Sequence, residues 1–230
     1  MHGGQGETAK RMAQNVVDSF GAGDEPIVVN SAGCGAMMKE YGELLGTAQG
    51  AEFSSRVRDL AEALRSTHSK PVYEPLNEVV TYQAACHLKQ VQGVDSDVVD
   101  LLRSVPELSV VRTEDEDRCC GAGGMYSILQ PEMANELRAK KLDAIARSGG
   151  ALVVTSNPGC IAHLSSDKLE IRHVASVLAT ALATESRRPG WWRSVGGRVP
   201  GWRRHVRAAP IEQWEEASVN SRDSQSKRLR

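Results

Sequence analysis

The run Ser148-Gly149-Gly150-Ala151-Leu152-Val153-Val154-Thr155-Ser156-Asn157-Pro158-Gly159-Cys160 joins a glycine stop, four strand-forming residues and a Gly-Cys turn. Leu152-Val153-Val154-Thr155 is apolar and rich in β-branched residues, which suits a buried strand. Ahead of it, Pro131–Arg147 reads as a helix, with Met133, Leu137, Lys141 and Ile145 at helical spacing. The same order occurs once before. Thr8–Phe20 is helical in pattern, Gly21-Ala22-Gly23 stops it, Ile27-Val28-Val29-Asn30 reads as a strand, and Gly33-Cys34 follows. Each copy is helix, glycine stop, strand, Gly-Cys, so the chain contains an internal repeat. Cys119-Cys120-Gly121 precedes the helix of the second copy, while only Met1-His2-Gly3-Gly4 precedes that of the first. The first copy is therefore read as truncated.

Outward from these copies, Val79–Tyr82, Ser109–Arg112 and the short Leu169–His173 are further strand candidates. Phe53–Thr67, Val98–Ser104 and Val174–Thr184 are amphipathic, and a helical run over Ala36–Leu45 follows Cys34. Strands alternating with helices predict an α/β fold, a parallel sheet with helices on both faces. The expected units are 1–70, the truncated first repeat; 71–184, the complete second repeat; and 185–230, a tail. Residues 185–230 carry 11 Lys/Arg against 5 Asp/Glu and all four Trp. That composition shift predicts a disordered or loosely docked extension; a basic segment that docks on a partner or membrane surface is the alternative.

The net charge of −1 argues against a general nucleic-acid binder. No apolar run approaches the roughly 20 residues a membrane helix needs. Met1–Glu7 has no apolar core, so no secretory leader is expected. The expected location is the cytoplasm, with at most a peripheral contact on the inner membrane face. Five cysteines are an odd number, which argues against a disulfide framework in such a compartment.

Cys86 follows the strand at Val79–Ala85, Cys119-Cys120 lies in the loop after the next strand, and Cys160 follows Leu152–Thr155. Ligands of parallel α/β sheets bind at the carboxyl ends of strands, so four thiols from three loops are expected to converge there. Thiolates are soft ligands that suit iron–sulfur clusters and zinc. Cys34 and His163 are further candidate ligands. Glycines 121, 123, 124 and 159 let backbone approach a bulky group and donate N–H bonds to sulfur.

Other readings of these residues stay open. Isolated cysteines are common in cores, above all for Cys34. Gly121-Ala122-Gly123-Gly124-Met125-Tyr126 hints at a dinucleotide fingerprint, but Tyr126 stands where the third glycine belongs. Glu114-Asp115-Glu116-Asp117 reads as a solvated loop. His87 beside Cys86 is placed to activate a thiol nucleophile. A single zinc is disfavoured because adjacent Cys119-Cys120 fit one tetrahedral ion poorly. A thiol–disulfide protein using Cys119-Cys120, and a remnant that holds no cofactor, complete the alternatives.

Cys86, Cys119-Cys120-Gly121 and Asn157-Pro158-Gly159-Cys160 together resemble the CCG (cysteine-rich) domain family. That family includes the cysteine-rich subunit of heterodisulfide reductase, lactate-utilisation iron–sulfur proteins and the glycolate oxidase iron–sulfur subunit. Resemblance to the last is strongest, through Val28–Tyr41, Cys86-His87-Leu88 with Gln92-Gly93, and Leu129-Gln130-Pro131-Glu132-Met133. It covers about residues 2–184. The resemblance implies an iron–sulfur cluster of the 4Fe–4S type on Cys86, Cys119, Cys120 and Cys160. It also implies a flavoprotein partner that oxidises a 2-hydroxy acid such as glycolate, with electrons passing towards quinone. Three departures stand out: no ferredoxin-like part, a first repeat without the expected partners of Cys34, and His163 where the fullest motif ends in cysteine.

Overall fold

Glycine stops and β-branched runs translate into elements in chain order in the computed structural model, which describes residues 4–68, 70–167 and 169–182. The first half runs α1 (Gly6–Phe20), β1 (Ile27–Val29), α2 (Ala32–Lys39), α3 (Tyr41–Leu45), α4 (Ala48–Arg56), β2 (Val57–Asp59) and α5 (Leu60–Ser66). The second half opens with β3 (Glu78–Tyr82), a π-helical turn (His87–Gln92), α6 (Asp95–Arg103), β4 (Leu108–Arg112) and α7 (Tyr126–Leu129). It closes with α8 (Pro131–Ser148), β5 (Leu152–Thr155), α9 (Pro158–Leu164), β6 (Ile171–His173) and α10 (Val174–Ala181).

The strands form two parallel sheets rather than one. β1 pairs with β2, and the larger sheet has the order β4-β3-β5-β6. All four residues of β5 are buried, as a central strand covered on both faces requires. Side chains alternate across that strand. Leu152 and Val154 join Tyr82, Val98, Leu102, Val177 and Leu178 in the core beneath α6 and α10. Val153 joins Ile145, Leu164, Cys120 and Cys160 beneath α8 and α9. Each fully buried Leu or Val contributes about 1.5–3 kcal/mol, so the two layers hold the sheet from both sides.

The order of elements recurs along the chain. α1–β1–α2 corresponds to α8–β5–α9, and β2–α5 to β6–α10. The strand-to-helix corner is capped alike in both copies: Asp59 Oδ1 accepts from Ala61 N–H at 2.9 Å, and His173 Nδ1 from Ala175 N–H at 3.1 Å. The copies touch at the starts of α2 and α9. Ala32 N–H donates to Ser156 O at 3.0 Å, and Gly33 N–H to Asn157 Oδ1 at 3.4 Å.

Local structure departs from the sequence expectation in three places. Phe53–Thr67 is not one helix: α4 ends at Arg56, β2 intervenes, and α5 starts at Leu60. Val57 is wholly buried and pairs with Ile27, so a long-range strand partner overrides helical spacing. The break is also marked by a capping box, in which Asp59 caps α5 and the Glu62 carboxylate accepts from Asp59 N–H at 2.7 Å. Second, Cys34 and Cys160 lie inside the first turns of α2 and α9 rather than in turns after the strands, and the expected Ala36–Leu45 run breaks at Glu40. Third, the π-helical turn after Cys86 replaces an expected loop. The tail at 185–230 lies outside the described residues.

His173 gives a pH-dependent stability. Burial pushes its imidazole below the ordinary 6.5. Its cap requires an unprotonated Nδ1, so the unfolded chain binds the proton better than the folded one. The contribution is therefore complete above pH 6.5 and is lost as pH falls below it. The urea midpoint should drop between pH 7.5 and pH 5.5, and drop less in His173→Asn, which keeps a capping acceptor. Equal drops in the two proteins would refute the assignment.

Candidate metal centre

Three adjacent strands of the larger sheet deliver the cysteines. β3 extends through Gln83-Ala84-Ala85 to Cys86, β4 leads into the loop with Cys119 and Cys120, and β5 turns into α9 with Cys160. Since β4, β3 and β5 are parallel neighbours, their carboxyl ends share one rim. Beneath it, Gln83 N–H continues the sheet to Val154 O at 2.9 Å. Thr155 Oγ1 donates to the buried Gln83 Oε1 at 2.9 Å.

The four thiols meet there. Cys120 Sγ lies 3.1 Å from Cys160 Sγ, both buried. Cys86 and Cys119 are half-buried and perturb each other through their thiols. Cys119 and Cys120 interact with each other and reach outward as well, Cys120 to Cys160 and Cys119 to Cys86. N–H groups are aimed at sulfur, with Asn157 Nδ2 at 3.2 Å from Cys160 Sγ and Gly121 N at 3.4 Å from Cys119 Sγ. His87 Nδ1 sits 3.6 Å from Cys86 Sγ.

Proton sharing within this set is uneven. Hydrogen bonds from Cys120 and then Cys86 push the Cys119 thiol down. Cys160 is pushed down by its bond from Cys120, with Asn157 adding to the effect. The bond to Cys119, followed by burial, pushes Cys86 up. Cys120 is pushed up by its bonds to Cys119 and Cys160. Within the set, Cys119 and Cys160 are thus favoured as thiolates over Cys86 and Cys120.

Of the other candidates, Cys34 is exposed on α2, beside Tyr41. His163 turns to α8, with Nε2 3.4 Å from Ala134 O. Arg138 fixes the same end of α9, its Nε donating to His163 O at 2.5 Å and its Nη2 to Ser165 O at 3.2 Å. The acidic loop carries surface ion pairs, Lys89–Asp117 at 2.7 Å and Arg147–Glu114 at 2.9 Å, in keeping with a solvated loop.

Sequence reasoning missed two contributors. Asn157 donates to Cys160, and an Asn at the N-cap three residues before a cysteine is a legible signal. Lys141 is completely buried, and its Nζ donates to Asp115 O at 2.9 Å. Helical spacing alone makes it one more position on the buried face of a helix. A charge within an apolar stripe is the cue that spacing passes over.

The donor chemistry fits a thiolate-held group: four sulfurs and N–H donors facing them. No trio of His, Cys, Asp or Glu among the described residues is arranged for a single metal ion. Two thiolates on one zinc stand about 3.8 Å apart, from Zn–S bonds of about 2.3 Å at tetrahedral angles. Cys120 and Cys160 are closer than that, at 3.1 Å, so their side chains must open outward to take any metal.

Fold and site define a cysteine-rich α/β protein whose sulfurs are grouped on one sheet edge. The chain belongs to the CCG family: the cysteine-rich domain model matches residues 1–39 and 80–165. It is similar to the probable glycolate oxidase iron-sulfur subunit of Bacillus subtilis (strain 168), 30% identical over 196 residues, covering 78% of this chain and 44% of that protein. The glycolate oxidase iron-sulfur subunit of Escherichia coli (strain K12) is 28% identical over 183 residues, covering 75% and 45%. Lactate utilization protein A of Shouchella clausii (strain KSM-K16) is 25% identical over 189 residues, covering 76% and 78%. The chain thus spans less than half the length of the two glycolate oxidase subunits it matches. Among the described residues, no helix is long and apolar enough to cross a membrane.

Proposed function

We propose that this chain is an iron–sulfur electron-transfer subunit, or part of one, in a flavin-linked complex that oxidises a 2-hydroxy acid such as glycolate. One observation carries the reading: Cys86, Cys119, Cys120 and Cys160 meet on the rim of three adjacent parallel strands. The relatives named as iron-sulfur subunits support it. A 4Fe–4S cluster, with its four cysteine ligands, would supply one-electron redox chemistry at this rim. Cys120 and Cys160 would hold it on the buried side and Cys86 and Cys119 on the open side. Asn157 Nδ2 and Gly121 N–H would donate to sulfur and steady the negative charge. The half-buried sulfurs give electrons a short route to the surface. Oxidation of the hydroxy acid would belong to a flavoprotein partner, and quinone would be the later acceptor.

The test is anaerobic reconstitution with iron and sulfide, read by iron and labile-sulfide content, absorbance and EPR. Iron with matching sulfide and a charge-transfer band in the visible region is expected. A colourless protein without iron would defeat the reading. A second reading rests on the 3.1 Å Cys120–Cys160 separation. These thiols could give up two electrons and two protons to a disulfide oxidant and form a disulfide. The same preparation separates the two: no iron, with two titratable thiols lost on oxidation, favours the dithiol.

A further inference from the structure

Lys141 is unusual in its setting. Among the described residues it is the only fully buried cation, placed on α8 between Ala134 and the Ala144-Ile145 pair. A buried ammonium persists only against compensating partners. One is explicit: Nζ donates to Asp115 O at 2.9 Å, and Arg118 N–H donates to the same carbonyl at 2.9 Å. Asp115 has φ +51°, a left-handed conformation unfavourable for a residue with a side chain. Lys141 thus braces a strained turn just ahead of Cys119-Cys120. The same helix carries it to the thiol centre: Ile145, one turn further along α8, packs in one core cluster with Cys120 and Cys160. The charge of Lys141 is felt at Cys119, Cys120 and Cys160. Burial pushes the ammonium down from the ordinary lysine range, and Cys120 draws it back up.

We infer that Lys141 is a positioning residue of the thiol centre: it braces the Asp115–Arg118 turn and sets a buried positive charge against Cys119, Cys120 and Cys160, raising the reduction potential of the cluster they hold. This rests on the iron–sulfur reading proposed above. The physical reason is direct. Reduction adds an electron to an already anionic centre, and a fixed cation in a low-dielectric surrounding stabilises the reduced form more than the oxidised. A brace alone would alter stability and leave the potential where it was.

The test compares wild-type protein with Lys141→Met, Lys141→Gln and Lys141→Arg. Folding is checked by circular dichroism, and midpoint potentials are measured by EPR-monitored redox titration after reconstitution. Lys141→Met should lower the midpoint by an amount equal to about tenfold in the one-electron equilibrium, about 59 mV. Lys141→Arg, which keeps the charge, should restore most of that shift. Should Lys141→Met fail to fold, Lys141→Gln gives the same comparison with a polar side chain. Uncharged variants that fold, load and keep the wild-type midpoint overturn the inference. Wild-type protein that takes up no iron instead defeats the function proposed above, so the two failures are told apart.

Discussion

Replacing Gly121 by Ala should cost about 3 kcal/mol of stability and most of the protein's capacity to take up iron. Gly121 follows the cysteine pair directly and has φ +91°, a conformation that costs other residues about 1–3 kcal/mol. Strain is only half of the effect. A Cβ built at Gly121 meets Ala134 O, in the backbone of α8, at a separation no real Cβ tolerates, and lies 3.1 Å from His163 Nε2. That backbone is fixed within an 18-residue helix, so the loop must move instead. Overpacking of this kind adds about 1–3 kcal/mol. Movement of the loop carries Cys119 and Cys120 away from Cys86 and Cys160. Gly124 provides the control, because its φ is +58° but no atom lies within 4 Å of its added Cβ. Gly124→Ala should show the backbone cost alone, about 1 kcal/mol. Chemical denaturation and iron content measure both effects. Equal losses in the two variants would show that close approach to α8 does not hold the cysteine pair in place.

The second large effect is expected from Cys160→Ser. Cys160 is 2% exposed, accepts from Asn157 and lies against Cys120. Serine is nearly isosteric, so the fold should survive with a change of about 1 kcal/mol or less. Its hydroxyl is a hard donor that does not ionise near neutrality, so the soft ligand is lost. Bound iron after reconstitution should fall at least about tenfold, since loss of an outer-shell partner alone typically costs about 10–100-fold in metal affinity and a direct ligand should matter no less. Cys34→Ser should keep the wild-type content, since Cys34 is exposed on α2 beside Tyr41 and the rim thiols sit on the second repeat. Iron and sulfide assays on matched preparations decide this. Loss of iron in Cys34→Ser with retention in Cys160→Ser would move the centre to the first repeat.

Much of this architecture is written locally. Glycine stops at Gly21 and Gly149, the β-branched runs Ile27–Val29 and Leu152–Thr155, and Pro131 at the start of α8 all act within a few residues. The repeat and the position of each cysteine relative to its strand follow from the same short-range signals. The Asp59-x-x-Glu62 capping box is equally local, and it marks a helix start that helical spacing across Phe53–Thr67 hides.

What the chain alone dictated was the alternation of strand and helix and the placing of thiols after strands, because backbone preference and hydrophobic period are properties of neighbouring residues. Only the folded molecule decided that β2 exists, through pairing of Val57 with Ile27, and that β4, β3 and β5 stand side by side. It also decided that Cys34 faces solvent while Cys120 and Cys160 touch, and that Lys141 lies buried against their loop. Those outcomes depend on contacts between residues tens of positions apart, whose free energies are set by burial and pairing that no local run of sequence contains.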